Sequence, residues 1–271
     1  MEATEVRKLT ALEDRHWWYR ERRRLLARSV ADLTPGTAVD VGAAGGGNTR
    51  VLQRLGWRVA ALEYGTEGAR VCAERSIPVL RGDATRLPLA SKSLDLVVAF
   101  DVLEHLDDDK AAAMGVFDAL KPGGTFLIAV PADPRLWSAH DDAVGHVRRY
   151  TRQTLGDLLA GAGFESEPMR SWNVLLRPVV ALRRRSSTGS DLDDLPAVVN
   201  TALHVIVAAE RYLPLSQLPG VSLLVRARPP RVCPSPADRP RSAERYGRPP
   251  AGDPISRERS GACTPAVARA A

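Results

Sequence analysis

Between residues 37 and 132 the chain alternates short apolar runs with stretches whose apolar residues recur at helical spacing. "TAVDVG" (37–42), "WRVAALEY" (57–64), "IPVLRGD" (77–83), "LDLVVAF" (94–100) and "TFLIAVPA" (125–132) are short, branched and bounded by Gly, Pro or Asp, which predicts five strands. Their cores are apolar at consecutive positions, the mark of strands buried on both faces in a parallel sheet. Helices are predicted between them, in "NTRVLQRLG" closed by Gly56, from Thr66 to Arg75, and in "DDKAAAMGVFDALKPGG" with its Pro-Gly stop. The pattern is that of a doubly wound α/β fold.

The flanks complete the expected architecture. Residues 5–33 read as one helix ended by "TPG", and 151–164 as a helix ending at Gly163. Residues 164–172 and "VSLLVRAR" (221–228) supply a sixth and a seventh strand. Ahead of the last strand lies a helical insertion, 174–219, made of "VLLRPVVALRRR", a polar hinge "SSTGSDLDD" and "LPAVVNTALHVIVAAERYL". The tail from Pro229 to Ala271 is rich in Pro and Arg and lacks apolar periodicity, which predicts disorder. The expected domains are a helical cap (1–36), a sheet domain (37–228) and the tail (229–271).

Composition narrows the class. Of 271 residues, 44% are hydrophobic, enough for one sizeable core, and the net charge is +6. The basic excess sits in "RERRRLLAR", in Arg183–Arg185 and in the tail, whereas "DVLEHLDDD" is acidic. With no basic–aromatic interleaving and no recognition-helix pattern, nucleic acid is not the expected partner. Cys72, Cys233 and Cys263 have no metal-ligand spacing and cannot all pair, which suits a reducing compartment. The N-terminal stretch lacks a signal-peptide core and no apolar run reaches the ~20 residues of a membrane span, so a cytoplasmic protein is expected.

The candidate chemistry starts at "VDVGAAGGGNT" (39–49), where an apolar strand runs into a glycine-rich turn and a helix. Such a turn brings ligand against backbone amides at a helix N-terminus. No Lys-Ser or Lys-Thr follows, which excludes a P-loop, and the glycine spacing does not fit G-x-G-x-x-G. The next segment discriminates: Glu63 ends the second strand, Asp83 the third, and the fourth runs into "DVLEHL". From 37 to 165 the chain resembles the S-adenosylmethionine (SAM)-dependent methyltransferases of the Rossmann-like, class I type. "DVGAAGG", Glu63, "GDATRLP", "DVLEHL" and "LKPGGTFLIAVP" follow in that family's order.

The resemblance implies a Rossmann-like methyltransferase sheet of seven mostly parallel strands, a SAM cofactor and definite roles. Asp40, Gly42, Ala44 and Gly46 receive the methionine portion, and Glu63, followed by Tyr64, accepts the ribose hydroxyls. Asp83 and the Ala84 amide meet adenine, and Phe100 and Asp101 line the methyl side. Ala44 stands where the family has its middle glycine, which is tolerable at negative φ. In related enzymes the N-terminal helix walls the acceptor, a role for Trp17, Trp18 and Tyr19, with Arg20 near the cofactor carboxylate; simple packing is the alternative.

A hydroxyl acceptor needs a proton acceptor. His105, His140 and His146 are the candidates, with no choice among them possible from sequence. Metal is not expected, because "HDDAVGH" matches no helical ligand pair. Arg148, Arg149 and Tyr150 either hold an anionic group or belong to a salt-bridged loop. The insertion, apolar and Arg-flanked, is read as a lid over a small-molecule or lipid-linked acceptor. A peripheral membrane contact through 174–213 and a homodimer interface stay open. The expected activity is methyl transfer to oxygen or nitrogen; a non-catalytic SAM-binding protein and a nicotinamide-dependent oxidoreductase are the rivals.

Overall fold

The computed structural model describes residues 3–184 and 195–230. Arg185, the hinge 186–194, Cys233, Cys263 and the tail beyond residue 230 lie outside the described residues. The five expected strands form, as β1 (Thr37–Val41), β2 (Arg58–Glu63), β3 (Val79–Arg81), β4 (Leu94–Phe100) and β5 (Leu120–Pro131). All pair in parallel, in the order β3-β2-β1-β4-β5. The order reverses between β1 and β4, and the switch point at the carboxyl ends of these strands is where open α/β sheets bind ligands.

The alternation of side chains across the sheet divides the apolar runs between two cores. In β4, Val97 and Ala99 face one core with Val39, Val41, Phe126 and Ile128. That face is covered by α5 (Asp109–Ala119) and α7 (Arg152–Gly161), through residues such as Val116, Leu155 and Leu159. Leu96, Val98 and Phe100 face the other core with Leu127 and Ala129, under α2 (Trp17–Ser29) and α3 (Gly47–Arg54). Three further helices are α1 (Ala3–Leu12), α4 (Thr66–Glu74), which joins β2 to β3, and α6 (Ala139–Val144), which follows β5.

Three local departures from the expected elements have physical causes. The N-terminal helix is two helices, because Glu13–His16 leave helical geometry and His16 caps α2 by accepting from the Trp18 amide. The sixth strand is split into β6 (Glu165–Ser166) and β7 (Arg170–Trp172), both antiparallel to β8 (Ser222–Arg228). Pro168 between them has no amide to donate, so the ladder breaks there. β5 starts at Leu120 rather than Thr125, with an irregularity in its pairing between Leu94 and Leu96. β8 closes the sheet antiparallel to β5.

The insertion is helical, with α8 (Arg177–Arg184) and α9 (Ala197–Ala209). α9 is pinned to α2 by Asn200, which accepts from the Trp17 amide at 2.8 Å and donates to the Arg15 carbonyl at 3.0 Å. Leu203 and Val207 pack inward, while Val198 and Val205 face solvent at 81% and 60% exposure. Among the described residues no helix is long and apolar enough to cross a membrane.

Candidate active site

A cavity of about 330 Å³ opens at the switch point, between the glycine loop, the start of α2, the end of β4 and the insertion. On one side are Gly42, Ala43, Ala44, Gly47 and Asn48. Gly42 has φ +64°, and a Cβ there would lie 2.7 Å from the Val102 side chain, so no other residue fits without displacement. Gly46, at φ +77°, is the N-cap of α3. Ala44 has φ +49°, so the condition of a negative angle is not met and the methyl group is carried in the left-handed region.

Two carboxylates hold this loop from below. Asp40 is buried and accepts from Thr49 Oγ1 at 2.7 Å, tying β1 to α3. Asp40, Glu63, Asp83 and Ala84 do not themselves border the cavity. Glu63 accepts from the Ala44 amide. Burial pushes both carboxyls up to about 7. Asp83 lies just past β3 and accepts from the Thr85 amide and hydroxyl, each at 2.8 Å, which hold it below the usual carboxylate range. Ala84 is partly buried against the core, and Tyr64 points to solvent, 76% exposed and off the cavity.

The N-terminal helices supply more of the site than their sequence suggests. Trp17, Trp18 and Tyr19 line the cavity, as does Arg22, whereas Arg20 does not. Arg22 is buried over Phe100 (4.8 Å), Trp172 (5.4 Å) and Trp18 (5.6 Å) and pairs with Asp101. Its Nη1 is buried and donates to no described residue. The i, i+4 spacing of Trp18 and Arg22 is the signal in the sequence that points to it. Glu13, also buried, bonds Arg50 (2.8 Å) and Arg75 (2.5 Å) beside the glycine loop, and Arg23 donates to its carbonyl.

Beyond β4 the three candidate histidines come together. The His105 and His146 rings are 4.8 Å apart, and His140 lies 6.3 Å from His146. Burial lowers the His105 pKa, which keeps its ring neutral and able to take a proton near pH 7. His146 Nδ1 is 2.8 Å from Asp141, which is fully buried and also bonded to Arg149 (2.8 Å) and Arg184 (3.1 Å). Of the two roles open to Arg148, Arg149 and Tyr150, the contacts are those of a salt-bridged loop. Tyr150 is buried in the core and donates to Asp109 at 2.6 Å, and Arg148 pairs with Asp109 at 2.9 Å. Arg149 borders the cavity, but its donors are committed to Asp141 and to the Ala132, Asp133 and Val221 carbonyls. These side chains fix the loop after β5 to the sheet.

A glycine turn at the switch point, acids at the ends of β2 and β3, and a cavity past β4 follow one another at the carboxyl edge of the sheet. Residues 39–128 match the family described as a methyltransferase domain. A probable SAM-dependent methyltransferase of Mycolicibacterium smegmatis is 28% identical over 170 residues, covering 60% of this chain and 65% of that protein. The match therefore spans a little under two thirds of that relative. A demethylmenaquinone methyltransferase of Mycolicibacterium paratuberculosis is 28% identical over 198 residues, covering 63% of this chain and 82% of that one. Among solved structures, one chain of the complex between the Haloferax volcanii Trm112 methyltransferase activator and a methyltransferase superposes with TM-score 0.59 at 22% identity, over 84% of this chain and 95% of that one. Residues 39–128 thus carry the sequence of a methyltransferase domain, and the sheet shares the fold of the solved structure.

Proposed function

We propose that this chain transfers a methyl group from SAM to oxygen, or to nitrogen, of a small hydrophobic or lipid-linked acceptor. The observation that carries the reading is one cavity that joins the glycine loop to a cluster of histidines under apolar side chains of the insertion, Leu176, Val180, Leu195 and Leu203. The glycine turn admits a ligand backbone-close, and Glu63 and Asp83 offer acceptors at neighbouring strand ends, where a ribose diol and an exocyclic amine need them. SAM bound there supplies an electrophilic methyl on a sulfonium. Arg22, with one buried donor unused, is suited to an anionic oxygen in the cavity.

The chain's contribution is alignment and proton management. Methyl transfer is an in-line displacement, and holding nucleophile and methyl in register replaces most of the entropy cost of encounter. For a hydroxyl acceptor the hydroxyl proton has to be taken up as the methyl group arrives, and the histidine cluster beyond β4, His105, His140 and His146, stands where it can be received. The apolar walls favour an acceptor with a hydrocarbon or isoprenoid portion, and the outward Val198 and Val205 suit contact with a lipid surface. Methyl-labelled SAM with a panel of hydrophobic quinols, phenols and amines tests this. Label should enter at least one acceptor and fall strongly in His105→Ala. Tight donor binding without transfer to any panel member or cell-extract fraction would instead make the chain a non-catalytic SAM-binding protein.

A further inference from the structure

Glu104 is completely buried at the floor of the cavity, and neither of its carboxylate oxygens takes a hydrogen bond from another described residue. A buried carboxylate in that condition is costly unless something compensates it. Around it stand His105 and His146, and one ligand-type atom from each of the three residues lies within 4.8 Å of the others. We propose that Glu104, His105 and His146 bind a divalent cation of the zinc class, with an open coordination position facing the acceptor end of the cavity.

The outer partners of the two imidazoles support this assignment. His105 Nδ1 is 3.0 Å from the Gly145 carbonyl, which can only accept, so that nitrogen carries the proton. His146 Nδ1 is 2.8 Å from the Asp141 carboxylate. In both rings the Nε2 lone pair is then available, the arrangement in which a carbonyl or carboxylate orients a metal-bound histidine. His146 Nε2 stands 3.8 Å from Glu104, too far for a hydrogen bond and close to a shared ligand position. Bonds of about 2.0–2.2 Å place neighbouring ligand atoms about 3–3.5 Å apart, so the three side chains need draw in by only about 1 Å.

The backbone holds the set in place. Glu104 and His105 sit on the 3-10 turn after β4, and His146 follows the left-handed Gly145 that ends α6. The Val147 amide donates to the Glu104 carbonyl at 2.8 Å, which joins the two segments. Two imidazoles and one carboxylate with a free position match catalytic zinc sites, and such a cation lowers the pKa of a bound hydroxyl. Arg22 pairs with Asp101, and Arg149 and Arg184 pair with Asp141, which leaves Glu104 without a paired arginine among the described residues; a dication held by Glu104 and two imidazoles keeps one positive charge and favours an anionic further ligand. A deprotonated acceptor oxygen is such a ligand.

The test is metal binding by the untagged full-length chain, stripped with chelator and free of SAM and its products. Titration calorimetry with Zn²⁺ should show one strong equivalent, and Co²⁺ should give the visible absorption of a low-symmetry, four- or five-coordinate ion. Glu104→Gln and His146→Gln should weaken Zn²⁺ binding by about 100-fold or more, and Asp141→Asn by about 10- to 100-fold, while His204→Gln leaves it unchanged. Absence of a stoichiometric site in the folded wild type, or binding indifferent to Glu104→Gln, overturns the proposal. If the variants do not fold, the wild-type stoichiometry and Co²⁺ spectrum decide alone. With no methyl donor present, failure of metal binding leaves the methyltransferase reading standing.

Discussion

Asp141→Asn probes the buried network that fixes the loop after β5 to the rest of the site. The carboxylate is completely buried and bonded to His146 and Arg149 at 2.8 Å, Arg184 at 3.1 Å and the Ser138 amide at 3.0 Å. Burial alone raises its pKa, but the His146 hydrogen bond and the charges of Arg149 and Arg184 outweigh it and hold the group well below the carboxylate range. Asparagine keeps the shape and removes the charge, leaving Arg149 buried without a counter-ion. Breaking such a pair from one side costs about 3–5 kcal/mol. With about 2–4 °C of Tm per kcal/mol at this chain size, the melting temperature should fall by about 6–20 °C at pH 7. The folded-state pKa is depressed, so Asp141 stabilises fully above the unfolded value of about 3.9 and loses that contribution as pH falls below it. The gap between wild type and variant, followed by circular dichroism melts, should therefore narrow below pH 4. A shift under about 2 °C at pH 7 would show that Arg149 does not depend on this carboxylate for its burial.

Two other predictions concern the glycine loop. Ala44→Gly removes a methyl group from a left-handed residue, a relief of about 1–2 kcal/mol offset by about 0.4–1 kcal/mol of unfolded-chain entropy. Denaturant melts should show unchanged or slightly raised stability, and a clear loss would mean that the side chain packs favourably. Asp40 and Glu63 are raised to about 7 by burial, so the folded state binds protons more tightly than the unfolded chain. Their contribution to stability declines as pH rises from about 4 through 7. Asp40→Asn should flatten that decline in pH-dependent melts, and an unaltered slope would count against burial of Asp40 as its cause.

The alternation of strands and helices was legible because each buried strand is a continuous apolar run, whichever face its residues take. The split of the sixth strand was not, since two or three residues of pairing on either side of Pro168 leave almost no periodicity to read. At the site, "DVGAAGG", Glu63 and Asp83 stood out because strand ends and glycine turns follow chain order. The roles of Glu13, Arg22 and Asp141 depend on contacts between distant parts of the chain, such as Glu13 with Arg75 and Arg22 with Asp101. A lone acid or arginine in a charged helix has no local pattern to distinguish it. Arg149 and Tyr150 left two roles open for the same reason, anion ligand or salt-bridged loop, and their buried partners show them fixing the loop.

The methyltransferase reading turns on whether the pocket between the glycine loop, which Glu63 holds through the Ala44 amide, and the end of β4 binds the methyl donor. Calorimetric titration with S-adenosylhomocysteine, with NAD as the competing ligand, decides it. One site of micromolar affinity is expected, about −8 kcal/mol, with no response to NAD and loss of binding in Glu63→Ala. Absence of micromolar binding to the wild type, or affinity unchanged by Glu63→Ala, would contradict a donor site at this pocket.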